Sequence, residues 1–368
     1  MSAPEKPDPP IVGKVTHSSI ELYWGTYRKD PEHVGLPATR LDNRLHYVVQ
    51  EEEVSSGQRS YGTVYSGFSS RHVFEGLEPK TSYRYRLRAA NDNGASPWSA
   101  AIEVTTTKKP PSSEDLHKAT NRNDIEAVER LIKELNKELI NAPDKYGYSP
   151  LMIAVQKGHK EIMGLLIKNH ADVNYQSSSG KTALMVGCYA GKLDAAEVLY
   201  EHKADLGARD KTGSTALHWA ADGKSFEVVR WLVSKGVELD KKDYTSGWTP
   251  LMRVAATSGD ENIGRILIHH GSDVNSVDVD GKSVLMMAAL NGHIGLVRLL
   301  ISKGANINKR SEHGKTALDF AKSFDHRQVT LFLEEELKKI KAIEKEKRLA
   351  ESMKEQRSGY DLKEAING

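Results

Sequence analysis

Gly213-Ser214-Thr215-Ala216-Leu217-His218-Trp219-Ala220-Ala221 is one copy of a phrase that the chain writes six times. The copies open at Ser149-Pro150-Leu151, Thr182-Ala183-Leu184, Thr215-Ala216-Leu217, Thr249-Pro250-Leu251, Ser283-Val284-Leu285 and Thr316-Ala317-Leu318, at intervals of 33, 33, 34, 34 and 33 residues. A fixed period of this size is the signature of stacked repeats. A glycine stands two residues before each copy, at 147, 180, 213, 247, 281 and 314, which implies a tight turn with positive φ. The Ser or Thr that follows is placed to cap a helix, and Pro150 and Pro250 fall at the first helical position, where proline costs nothing. A short apolar helix such as 151–155 comes next. A turn at Gly158, Gly191, Gly259 or Gly292 then leads to a second helix such as 162–166. Each unit closes on Ala171-Asp172-Val173-Asn174 or a relative of it, Ser272-Asp273-Val274-Asn275 or Ala305-Asn306-Ile307-Asn308. One such helix pair cannot cover its own apolar side, so neighbours must do it.

This grammar resembles the ankyrin repeat over residues 113–337. The resemblance implies an all-α solenoid of helix pairs with β-hairpin tips. A degenerate first repeat occupies 113–143, full repeats fall near 144–176, 177–209, 210–242, 243–277 and 278–310, and a capping repeat covers 311–337. The glycine that ends the second helix is present as Gly236, Gly271 and Gly304, but His170 and Lys203 stand in its place earlier. Both are therefore expected in the left-handed region, a cost on the order of 1 kcal/mol each. Lys224 likewise replaces the glycine between two helices, and the repeat at 243–277 carries one extra residue in its hairpin and one in its helix turn.

Residues 9–107 follow another rule, with apolar and polar residues alternating in Ser19-Ile20-Glu21-Leu22-Tyr23-Trp24 and Tyr83-Arg84-Tyr85-Arg86-Leu87-Arg88. That is the period of strands. Leu77-Glu78-Pro79-Lys80-Thr81-Ser82-Tyr83 reads as a tyrosine corner. With Asn91-Asp92-Asn93-Gly94 and Ser96-Pro97-Trp98-Ser99 it resembles a fibronectin type III domain, an immunoglobulin-like all-β sandwich whose buried tryptophan would be Trp24. Arg84, Arg86 and Arg88 are expected to stack on Trp98 from an adjacent strand. The polar insert 25–44 reads as a surface loop and a candidate binding element. The Pro/Ser run 108–112 reads as a semi-stiff linker.

Chemistry is not legible anywhere. Gly180-Lys181-Thr182 lacks the spacing of a phosphate loop and recurs as Gly314-Lys315-Thr316, which marks it as repeat grammar. His269-His270 ends a helix, where a cation suits the dipole. The expectation is a non-enzymatic chain with no catalytic, cofactor-binding or metal site and no small-molecule substrate. The formal net charge of +2 gives no reason to expect direct nucleic-acid binding. The single cysteine, Cys188, excludes an internal disulfide and reads as a buried inert thiol. No signal peptide is expected, and no apolar run is long enough for a membrane span. In 334–357, 15 of 24 residues are charged, with a thin stripe of Leu333, Leu337, Ile340 and Ile343. A charged helical tail over 338–368 is expected to continue from the last repeat.

Ankyrin stacks, by resemblance, bind proteins through hairpin tips and the exposed side of the inner helices. Carried onto this sequence, the tips offer Tyr146, Tyr148, Tyr244 and Trp248, and the inner helices offer Ile153, Gln156, Tyr189, Trp219, Asp222, Arg253, Met287 and Leu290. Aromatic residues and arginine dominate interface energetics, which singles out Trp219. The order of domains resembles the family that fuses one fibronectin type III domain to ankyrin repeats. That resemblance implies a protein-binding adaptor of nucleus and cytoplasm, or of cilium or basal body, acting in transcription, apoptosis or spermatogenesis; the alternative is a structural part of a ciliary or microtubule assembly.

Overall fold

The computed structural model describes residues 2–25, 45–54, 60–135 and 137–367. The chain divides into two compact units, Met1–Pro111 and Ser112–Gly368. All of the insert 25–44 except Gly25 lies outside the described residues.

The first unit is two antiparallel sheets around one core. One sheet runs β1 (Ile11–Val15), β2 (Ser19–Tyr23), β5 (Arg71–Glu75); the other runs β4 (Gly62–Gly67), β3 (His46–Glu53), β6 (Ser82–Asn91), with β7 (Gly94–Ala95) and β8 (Ile102–Thr105) also paired to β6. The alternation in β6 turns Tyr83, Tyr85, Leu87 and Ala89 inward, where they meet Ile20, Leu22, Trp24 and Val49. Trp24 is buried, and its indole donates to the Ser69 carbonyl at 2.8 Å. The tyrosine corner forms as expected: Tyr83 Oη accepts from the Glu78 backbone N–H at 2.9 Å. The arginine ladder forms only in part. Arg86 lies 3.8 Å from the Tyr61 ring centroid and 4.7 Å from that of Trp98, and Arg88 stacks on Trp98 at 4.7 Å. Arg84 pairs instead with Glu103 at 3.0 Å. Trp98 sits in the irregular run between β7 and β8, not in a strand.

The second unit is seven helix pairs: α1 (Ser113–Arg122) with α2 (Ile125–Glu134), α3 (Pro150–Lys157) with α4 (Lys160–Lys168), α5 (Ala183–Tyr189) with α6 (Leu193–Glu201), α7 (Ala216–Asp222) with α8 (Phe226–Ser234), α9 (Pro250–Ala256) with α10 (Glu261–His269), α11 (Val284–Leu290) with α12 (Ile294–Ser302), and α13 (Ala317–Ser323) with α14 (Arg327–Asn367). One hydrophobic core runs from Leu116 to Leu333 through every pair. Ser149, Thr182, Thr249, Ser283 and Thr316 cap their helices by accepting a backbone N–H three residues on, each at 3.3 Å. Thr215 differs, because its hydroxyl and N–H both meet His218 Nδ1, at 2.9 and 3.2 Å.

Six tight turns, which we number as hairpins one to six, precede helices α3, α5, α7, α9, α11 and α13. The first five of the six glycines hold φ between 68° and 82°, and Gly314 holds 72°. The hairpins close on one or two backbone bonds, as from Asp210 N to Ser214 O at 3.0 Å and from Gly213 N to Asp210 O at 2.9 Å, rather than on a strand ladder; one isolated bridge, Val277 with Ser283, is the only strand-type pairing among the described residues of these tips. From the second tip onward, neighbouring tips are tied by one backbone bond each, Lys211 N to Ser179 O and Tyr244 N to Thr212 O among them. The closing phrase of each repeat ties repeats as well: Asn174 Oδ1 accepts from Asp205 N at 2.9 Å, and Asn275 Oδ1 from Asn306 N at 2.8 Å. His170 and Lys203 take φ of 69° and 67°, as their stand-in for glycine requires, and Lys224 takes 55°.

Candidate protein-binding face

Residues one repeat apart occupy equivalent places on successive inner helices. One such row is Ile153, Val186, Trp219, Arg253, Met287 and Phe320; the next is Gln156, Tyr189, Asp222, Ala256, Leu290 and Ser323. In the first row most side chains are consumed by packing. Ile153 and Met287 are 8% and 3% exposed, so neither can meet a partner, which corrects the expectation for both. Met287 belongs to the continuous core, and Ile153 is covered nearly as fully. Trp219 and Arg253 break that row because they are too long and too polar at the tip to be swallowed. Both are half-buried.

Around them the side chains interlock. The Trp219 indole donates to Asp210 Oδ2 at 3.1 Å, its face carries Lys181 Nζ at 4.2 Å, and Tyr189 packs edge-on at 5.8 Å between ring centroids. Tyr189 itself is 53% exposed. The carbonyl of Tyr189 presses on Gly223, where an added Cβ would lie 2.2 Å from it, so the ends of α5 and α7 meet with no room for a side chain. Asp222, next to that contact, accepts from Arg253 Nη1 at 3.0 Å, while Arg253 Nη2 donates to Asp243 Oδ2 at 2.8 Å and to Ser214 Oγ at 3.2 Å. Arg253 also lies over Trp248, 5.6 Å from its ring centroid. One guanidinium thus joins α9, α7 and the fourth hairpin.

The two carboxylates on Arg253 are not equivalent. Burial raises the pKa of Asp243, but the Ser246 N–H and the Arg253 guanidinium outweigh it and hold the group below the usual carboxylate value. Asp222 has less compensation, and burial pushes its pKa up. Its Oδ1 and the Arg253 Nε have no hydrogen-bond partner. Burial lowers the pKa of His218, whose Nδ1 accepts from the Thr215 N–H and whose Nε2 donates to the Trp248 carbonyl at 2.9 Å.

Of the remaining candidates, Tyr146 and Tyr244 stand out at the hairpin tips, 69% and 67% exposed, and Gln156 is exposed on α3. Tyr148, Trp248 and Leu290 are half-buried against the core. The structure therefore gathers Tyr189, Trp219, Asp222 and Arg253 into one patch and leaves Tyr146 at the far hairpin. Sequence reasoning missed Lys181, Asp210 and Asp243 as members. The one available signal was positional, since Asp144, Asp210, Asp243 and Asp278 all open a hairpin at the repeat period. Cys188 is buried, and burial raises its thiol pKa. Among the described residues no cluster of His, Cys, Asp or Glu is arranged to hold a metal, and no helix is long and apolar enough to cross a membrane.

This is the architecture of an ankyrin-repeat protein with a fibronectin type III domain in front, a class built from non-catalytic interaction modules. The fibronectin type III domain model matches residues 3–105, and the ankyrin repeats model matches 116–210, 164–243, 203–278 and 251–343. The chain is 45% identical over 282 residues to the mouse fibronectin type 3 and ankyrin repeat domains 1 protein, and 43% identical over 284 residues to its human counterpart, in each case across 77% of this chain and 80% of the relative. It belongs to that family. The crystal structure of the Bcl-3 ankyrin repeat domain, from a member of the IkappaB family, superposes with a TM-score of 0.52 at 28% identity, covering 60% of this chain and 97% of that one.

Proposed function

We propose that the patch on α5, α7 and α9 is where this protein holds another polypeptide, and that the chain works as an adaptor. The observation that carries the reading is the aromatic–cation group of Tyr189, Trp219 and Lys181, which leaves an aromatic ring on the surface beside a half-buried indole. Large amphipathic rings in such settings anchor interfaces. Family resemblance alone extends the reading to nucleus and cytoplasm, or cilium, and to transcription, apoptosis or spermatogenesis. A structural role in cilia is the alternative, and salt-resistant retention of the chain in isolated axonemes would favour it.

Tyr189→Ala is a cleaner test than Trp219→Ala, because Trp219 also packs on the core and bonds Asp210. Proximity labelling in ciliated cells identifies the neighbours of the wild-type chain, and titration of the purified candidates then gives affinities. Tyr189→Ala is expected to weaken the true partner by about 2 kcal/mol, roughly 30-fold, with an unchanged melting profile. Unchanged affinity for every candidate would remove the patch from consideration.

A further inference from the structure

The closing turns of the repeats form a ladder of side-chain rungs, and one rung is missing. Asn141 Oδ1 accepts from Asp172 N at 2.8 Å, Asn174 Oδ1 from Asp205 N at 2.9 Å and Asn275 Oδ1 from Asn306 N at 2.8 Å. Asp240 accepts from Asp273 N with both carboxylate oxygens, at 3.1 and 3.2 Å. Asn174 and Asn275 make a second contact. Their Nδ2 donates to the carbonyl just past the second helix of the next repeat, Lys203 at 3.1 Å and Gly304 at 3.3 Å. The repeat period puts Gly207 where one more rung belongs. It has no side chain to offer. The Glu238 N–H and the Gly236 carbonyl, which hold the equivalent places one repeat on, therefore meet no hydrogen-bond partner among the described residues.

The backbone does not demand glycine there. Gly207 is not one of the left-handed glycines. Its N–H donates to Asp205 Oδ1 at 2.8 Å, the same turn that Asn174 and Asn275 make with Asp172 and Asp273. An added Cβ would touch only Asp205 Oδ1 among non-adjacent residues, at 3.4 Å. What the glycine leaves is room. A cavity of about 240 Å³ opens beside it, bounded by Leu206, Gly236, Val237 and Glu238 and flanked by Lys235 and Lys241. Lys241 is paired with Glu238 at 3.0 Å. Lys235 meets no carboxylate among the described residues, and its Nζ lies 4.7 Å from the Tyr200 ring centroid.

We propose that this gap is a binding site for a small molecule carrying a primary carboxamide and, a few bonds away, a carboxylate. A primary carboxamide joins an acceptor oxygen and two N–H donors on one carbon, which is the set that Asn174 and Asn275 present to the same pair of backbone groups. Its oxygen takes the Glu238 N–H and its NH2 reaches the Gly236 carbonyl. A carboxylate in that place would accept from the N–H but set its second oxygen against the carbonyl. Lys235, the cation left without a counter-ion, selects the anionic group at the other end of the ligand. The cavity is smaller than the ~300–1,000 Å³ of sites for drug-sized ligands, so the occupant is a short aliphatic molecule lying against Leu206 and Val237.

The test uses the full chain and succinamate, which has a carboxamide at one end and a carboxylate at the other, against succinate, which differs in that amide alone. Calorimetric titration is expected to show succinamate bound at least about tenfold more tightly, because succinate strands an acceptor. Lys235→Gln should weaken succinamate roughly twofold to fivefold, the range for an exposed ion pair, and leave neutral propionamide unchanged. Gly207→Asn restores the rung that neighbouring repeats carry. That variant should lose succinamate binding and melt above the wild-type chain, whose own midpoint succinamate should raise. No binding of succinamate, equal or tighter binding of succinate, or undiminished binding to Gly207→Asn would each overturn the proposal. Tighter binding of a capped Ser-Asn-Ser tripeptide would also overturn it, by assigning the gap to a polypeptide side chain. None of these results bears on Tyr189, so the adaptor reading stands or falls separately.

Discussion

Replacing Arg253 by methionine tests whether this side chain is primarily a partner contact or a clamp between repeats. In the native state its guanidinium reaches a carboxylate with 1% exposure, Asp243, at 2.8 Å, and a second one, Asp222, at 3.0 Å. Methionine keeps most of the aliphatic length and removes the charge. Stranding one partner of a buried pair costs about 3–5 kcal/mol. Asp243 retains the Ser246 N–H, which places the expected loss near the lower end, at about 3 kcal/mol. For a unit of this size each kcal/mol moves the midpoint by about 2–4 °C, so a drop of roughly 6–12 °C should appear in calorimetry. The pH dependence gives a second check. The folded pKa of Asp243 lies below its ordinary value, so its contribution is complete above that value and is lost as pH falls through the folded pKa. The gap between wild type and Arg253→Met should therefore be full at neutral pH and narrow below about pH 4. Asp222→Asn, at the weaker end of the same guanidinium, should cost less than about 1 kcal/mol. A stable Arg253→Met variant, or a gap that persists unchanged in acid, would refute the clamp.

Two further perturbations follow from the same stack. His170→Gly combined with Lys203→Gly relieves two left-handed residues whose side chains are exposed; the gain of ~1–2 kcal/mol per site is partly offset by the ~0.4–1 kcal/mol entropy of a freer unfolded chain. The double variant should melt a few degrees higher by differential scanning fluorimetry, and a lower midpoint would contradict the assignment of these two positions. His218 is held below its ordinary pKa by burial, so the unfolded chain takes up the proton first and stability should decline as pH drops from about 6.5. Urea titrations from pH 7.5 to 5.5 should show that decline, and a His218→Gln variant should flatten it.

The period of 33 or 34 residues exposed the helix pairs, their caps and their turns, because each depends on a local steric demand repeated at a fixed offset. The same local logic placed His170 and Lys203 at positive φ and formed the bond from Glu78 to Tyr83. Depth was less legible. Ile153 and Trp219 hold equivalent places in the repeat, yet one is covered and the other only half-buried, since burial depends on side-chain size and on what the next repeat brings alongside. Nor could a local reading find the bonds of Arg253, whose partners Asp222 and Ser214 lie 31 and 39 residues away. The preference of Arg84 for Glu103 over Trp98 is of the same kind, a contact between strands that no periodicity announces.

The last helix has a mechanical consequence. α14 begins as the second helix of the terminal pair, with Leu333 in the core and Leu337 and Ile340 against it, and then runs without interruption to Asn367. At 1.5 Å per residue the portion past Ile340 is about 40 Å long. From 327 to 358 it contains neither proline nor glycine, the residues at which helices bend sharply. As far as Ser358 such a rod has no hinge, so torque applied there would reach the final pair directly and rotate the two as one body.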